Sequence, residues 1–163
     1  MSVLRLSRIA MVVAVALFFT LVAFGNVADY GANWQFVRHV LSMDTTFQDP
    51  ELMWRAVTDP RLQHAAYGTI ITWQALTALV LWLGILRLLR AVTADPPGFA
   101  QARGLAVIGL TMGLLLYAVG FLVVGGEWFA MWQSHTWNGQ VTAGIFVLFI
   151  GVTLLHLCGP EPE

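Results

Sequence analysis

The chain has 163 residues, 58% of them hydrophobic and only 10% charged, whereas a soluble domain is about one quarter charged. That balance excludes a water-soluble surface, and a net charge of −1 without a basic cluster excludes the electrostatic footprint of a nucleic-acid binder. All eight basic residues are arginine, which points to a GC-rich bacterial genome, and the single Cys158 cannot form an internal disulfide.

Arg5 and Arg8 precede an uncharged run from Ile9 to Ala28, long enough at about 1.5 Å per residue to cross a hydrocarbon core of about 30 Å. A basic flank before an apolar run also describes a cleaved signal peptide, but no small-x-small site follows, so the run reads as an uncleaved anchor. Residues 29–63 form a polar loop in which Trp34, Val37, Val40 and Leu41 recur at three- and four-residue spacings. That spacing predicts an amphipathic helix over 30–43, lying on the membrane or capping the bundle. Asp49-Pro50-Glu51 reads as the N-cap, first residue and first-turn acid of a short helix holding Leu52 to Val57. Asp59-Pro60 repeats the signal and opens the second membrane helix.

The second span covers about 64–86 and ends at Arg87 and Arg90. In the loop 87–103, Ala94-Asp95-Pro96-Pro97-Gly98 cannot continue a helix, since each proline fixes φ and removes a donor. The third span covers about 104–124. A bridge over 125–139 then sets Trp128, Trp132 and Trp137 among Glu127, His135 and Asn138, a mixture suited to the boundary between water and hydrocarbon. The fourth span covers about 140–157, and the tail from Cys158 to Glu163 is expected to be disordered. With the N-terminus in the cytoplasm, Arg5, Arg8, Arg87, Arg90 and Arg103 lie inside, and Arg38, Arg55 and Arg61 outside. This bias predicts cytoplasmic N- and C-termini and a multi-pass protein of the bacterial inner membrane. The expected architecture is all-α, a single membrane domain built as a four-helix bundle with a periplasmic cap of short amphipathic helices.

Four stretches carry a family likeness: Gly25-Asn26-x-x-Asp29-Tyr30-x-x-Asn33; Phe36-Val37-x-His39-Val40-Leu41-Ser42-Met43-Asp44-Thr45-Thr46; Trp54-Arg55-Ala56; and Gly126-Glu127-Trp128-Phe129-x-Met131-Trp132-Gln133-Ser134 with Trp137-Asn138-Gly139-Gln140. Together they resemble the bacterial small integral membrane proteins grouped as domain-of-unknown-function family 2165. The resemblance covers nearly the whole chain and implies four membrane helices without an assigned activity. The family pattern often carries a glutamate where this chain has Gln74 and an arginine where it has Gly144, so an intramembrane charge pair is missing here at both ends.

The residues with chemical potential gather in the two outer loops: Asp29, Asn33, His39, Asp44, Glu127, Trp128, Trp132, His135 and Asn138, with His64 nearby. Histidines with carboxylates can ligate zinc or copper, but no ligand spacing such as His-x-x-x-His occurs, and helix capping and loop fastening account for these residues better. Glu127 sits two glycines beyond an apolar span and is expected to pair with Arg38 or Arg55. His64 and His156 fall at opposite membrane faces, which argues against a haem held between them. Gln74, the strongest polar group at depth, is expected to bridge to another helix, and Gly109-x-x-x-Gly113 to allow close helix approach. With no nucleophile beside a base, no phosphate loop, no metal motif and no cofactor implied, the expectation is a non-enzyme. It would meet the lipid bilayer and serve as an accessory or assembly subunit of a larger membrane complex. The alternative is a small homo-oligomeric transporter or a lipid- or quinone-binding protein.

Overall fold

The computed structural model describes residues 3–160, so the end of the tail at 161–163 lies outside the described residues. Six α-helices follow one another: α1 (Val3–Ala28), α2 (Tyr30–Ser42), α3 (Pro60–Arg90), α4 (Pro96–Ala102), α5 (Gly104–Leu115) and α6 (Gln140–Cys158). Helix α5 continues without a break as a π-helix over Leu116–Trp128. Helices α1, α3, the run Pro96–Trp128 and α6 are long and apolar enough to cross a membrane. They form an up-down bundle, and no strand occurs among the described residues.

In lipid, apolar side chains gain little by leaving their surroundings for one another, so close packing and internal polar contacts must hold the helices together. Val12, Ala16 and Phe19 of α1, Leu81 and Leu88 of α3, Leu110 of α5 and Ile150 of α6 are fully buried in one core. Three glycines bring the backbones close. Gly84 lies against Ala106, Gly109 against Leu81, and Gly113 against Phe19 and Ile150. The Gly109/Gly113 pair thus serves different neighbours, α3 for Gly109 and α1 with α6 for Gly113.

Polar contacts finish both ends. At the end carrying the chain termini, Arg5 donates to the carbonyls of Val92 and Ala94 at 3.1 and 2.6 Å, and its guanidinium lies over Phe99. Arg8 and Arg103 donate to carbonyls at the end of α6. At the other end α2 folds back on α1 and α3, and Met43 and Phe129 seed a small second core with Leu41 and Met53. The loops 43–59 and 129–139 are tied by a Thr45–Ser134 hydroxyl pair at 2.8 Å and by Phe47 N–H donating to Gln133 Oε1 at 3.0 Å.

Three local expectations change. The short helix after Asp49 is one turn with a 3₁₀ piece over Met53–Arg55. Although Asp49 accepts from Glu51 N–H, Ala56 turns extended and Val57 N–H leaves to bond Leu41 O at 2.8 Å. The proline pair at 96–97 starts a helix as well as stopping one, because the first helical positions need no N–H and Asp95 caps Gly98 N–H at 3.1 Å. The bridge begins later than expected. Gly125 to Trp128 are still helical, held by i→i+5 bonding such as Phe129 N–H to Val124 O at 3.0 Å.

Candidate functional site

Helices α3 and α5 touch from Gly84–Ala106 through Leu81–Gly109, and Trp73 Nε1 still reaches the Met112 carbonyl at 2.9 Å. Beyond Met112, toward the loop-bearing end, they part where the π-helix begins. The gap is a half-open slot of about 310 Å³. Ala66, Thr69 and Ile70 form one wall and Leu116, Gly120 and Val124 the other; α2 covers it with Val37, Val40 and Leu41, and Phe129 and Met131 close its end. The mouth lies between exposed Thr69 and exposed Gly120 and Val124. Thr69 turns its hydroxyl back to the Ala65 carbonyl at 2.9 Å, so the lining is apolar in effect. Such a surface can hold a hydrocarbon chain, and among the described residues its lining carries no ionisable side chain.

Arg55 packs on Trp128, the residue before Phe129 at the closed end of this slot. Its guanidinium lies over the rings of Trp128 (4.9 Å) and Trp54 (5.6 Å), two tryptophans that meet edge to face. One long hydrogen bond reaches the Trp128 carbonyl at 3.4 Å, while Nε is buried without a hydrogen-bond partner.

A buried polar network ties α1, α2 and α3 together. Asn26, 5% exposed, donates to Gln74 Oε1 at 2.8 Å and accepts from Asn33 at 2.7 Å and from the Tyr67 hydroxyl at 3.2 Å. Gln74 bridges helices inside the protein as expected, and Gly144 has no neighbour near its missing Cβ. Asn26→Leu strands the Gln74 carbonyl and the Tyr67 hydroxyl, and an expected loss of about 2 kcal/mol follows from leaving such groups unmet. Unfolding in detergent checks this, and Asn26→Leu combined with Gln74→Leu should recover part of the loss.

The nine loop residues do not converge on one centre. His39 pairs with Asp44 at 2.8 Å and stacks on Trp137 at 4.7 Å. Asn33 joins the buried network, Asn138 caps α6 through Gln140 N–H at 3.0 Å, Trp128 stacks with Arg55, and Trp132 meets Phe47 edge to face. Asp29 stands at the break between α1 and α2 without a side-chain cap bond. Glu127 and His135 are exposed. The expected pairing of Glu127 with Arg38 or Arg55 is not formed among the described residues. Arg55 is taken up by the tryptophans, and the helical course through Trp128 turns Glu127 outward, where the protein does not bury its charge. Among the described residues no three His, Cys, Asp or Glu side chains group as a metal site would need. His64 stacks on Trp34 at 3.7 Å and bonds the Tyr30 hydroxyl, whereas His156 bonds Ser7 at the opposite end of the bundle.

Sequence reasoning missed the slot, which arises from the departure of two helices and has no motif. It took Asn26 only as part of a family stretch and gave it no role, because its contact with Asn33 is made across the break between α1 and α2 at Asp29. Trp73 and Trp82 went unread inside the second span; their indole N–H groups are met by Met112 O and by Thr20 Oγ1 at 3.0 Å.

A family model described as "Predicted small integral membrane protein (DUF2165)" matches residues 4–160. No curated protein and no solved structure matches the chain.

Proposed function

The chain belongs to this family of predicted small integral membrane proteins, and from that premise we propose that it is a non-catalytic, lipid-binding membrane protein that holds a hydrocarbon chain in the slot between α3 and the π-helix. The slot's apolar lining carries the reading. Its mouth is flanked by residues of two membrane-crossing helices, Thr69 on one and Gly120 and Val124 on the other, so it opens sideways toward lipid. A chain lying there meets packed side chains on three sides where a bulk lipid would meet other lipids. We read the arginine bias as setting both termini in the cytoplasm of a bacterial cell, with the slot in the outer half of the inner membrane.

Gly120 gives a clean test, since a Cβ there meets only Leu116 Cδ1 at 3.8 Å and a larger side chain would enter the mouth. Native mass spectrometry of the protein, extracted from its own membrane in mild detergent, should show a retained lipid-sized adduct. Gly120→Phe should lose that adduct at unchanged melting temperature. Parent protein without any such adduct would refute the reading.

A second reading, as an accessory subunit of a larger complex, is favoured by one observation. Phe47 and Trp132 project from two loops that are fastened to each other, 67% and 49% exposed. Rigid exposed aromatics are the composition of binding hot spots. A stoichiometric larger partner in the same spectrum, without bound lipid, would favour this reading.

A further inference from the structure

The row Gly120, Val124 and Trp128 runs along one face of the π-helix at four-residue steps, from the mouth of the slot to its loop-bearing rim. Arg55 sits at the top of that row. A guanidinium carries five N–H donors, and the one hydrogen bond made here is a long one to the Trp128 carbonyl. Among the described residues no carboxylate neutralises it: Glu127, beside Trp128, and Glu51, four residues before Arg55, are both exposed and neither pairs with it. The flanking rings of Trp54 and Trp128 are themselves exposed, as indoles at the headgroup level of a bilayer are. A cation with unmet donors therefore stands beside Trp128, next in the chain to the Phe129 that closes the apolar slot.

We propose that the slot takes one acyl chain of a glycerophospholipid and that Arg55, between Trp54 and Trp128, holds the same lipid's phosphate. This rests on the slot's binding of a hydrocarbon chain. Two oxygens of a tetrahedral phosphate match the spacing of a guanidinium's outer Nη donors, while the buried Nε stays out of reach. A chain without a phosphate, such as an isoprenoid quinone, fills the slot and leaves Arg55 as it is.

The test uses the delipidated full-length protein, presented by native mass spectrometry with equimolar phosphatidylglycerol and diacylglycerol of identical chains. The parent should favour phosphatidylglycerol by about tenfold, the size of one charge-assisted contact. Arg55→Gln should bring phosphatidylglycerol down to the diacylglycerol level with both still bound, and Arg55→Lys should keep part of the preference. Arg38→Gln and Arg61→Gln should leave it intact, which separates a seated phosphate from general attraction to cationic loops. Equal binding of the two lipids by the parent, or a preference that survives Arg55→Gln, overturns the phosphate site while leaving the hydrocarbon slot standing. Failure of the parent to bind either lipid removes both. Recovery from the native membrane of a bound species without phosphorus also overturns the phosphate site and keeps the slot.

Discussion

Gly84→Ala is expected to destabilise the bundle by about 3 kcal/mol, the upper end of the usual cost of overpacking, although it adds a single methyl group. A Cβ at Gly84 would lie 2.6 Å from the backbone nitrogen of Ala106 and 2.8 Å from its Cα. Neither atom belongs to a side chain that can rotate away, and Ala106 is itself fully buried. The helices α3 and α5 must move apart, and the next contacts along the seam, Leu81 on Gly109 and Trp73 on the Met112 carbonyl, loosen with them. Lipid fills the gap without restoring these close dispersion contacts. Gly120→Ala makes the same chemical change in open space and should be neutral or stabilising by up to about 1 kcal/mol, because it removes the entropy cost of a helical glycine. Thermal or dodecyl sulfate unfolding of the two variants side by side is decisive. A Gly84→Ala protein within about 0.5 kcal/mol of the parent, the usual size of a surface substitution, would mean that this seam is not closely packed.

The features legible in the sequence are those that single residues announce. Four uncharged runs gave the four crossing helices, and Asp59-Pro60 marked the start of α3, where Asp59 accepts from Arg61 N–H at 2.8 Å. The depth of Gln74 foretold an interhelical bond. The limits of this reading lie where the property belongs to two elements together. Gly84 looks like any other membrane glycine until Ala106 is known to face it, and Gly109-x-x-x-Gly113 does not say that its two glycines meet different helices. The π-helical course over 116–128 has no composition of its own, yet it carries Trp128 into reach of Arg55 and opens the slot. Glu127 shows the converse. Its position after an apolar span suggested a buried ion pair, and one more turn of helix places it in the open.

Arg8 separates the two things a basic residue can do at the end of a membrane helix. As a topological signal it needs only a positive charge. In the folded protein it is 2% exposed and works by shape: Nε donates to His156 O at 3.0 Å, and Nη2 donates to Gly159 O and Pro160 O, each at 2.8 Å. Arg103 adds a bond to Gly159 O at 3.1 Å from the start of α5. His156 O in the last turn of α6 has only a long bond from the cap Gly159 N–H at 3.4 Å, and the Gly159 and Pro160 carbonyls follow just past the helix end, so arginines from two other helices complete this terminus. Arg8→Met should therefore cost about 3 kcal/mol, the scale for leaving buried polar groups unmatched after a charged partner is removed. Arg8→Lys keeps the charge and with it the insertion topology, but an ammonium cannot reach three carbonyls with the fork of a guanidinium and should lose most of the same stability. Hydrogen exchange should quicken in the last turn of α6 in both variants and stay unchanged in α2. If Arg8→Lys unfolds like the parent while Arg8→Met alone fails, Arg8 acts through its charge, and the seal on α6 contributes little.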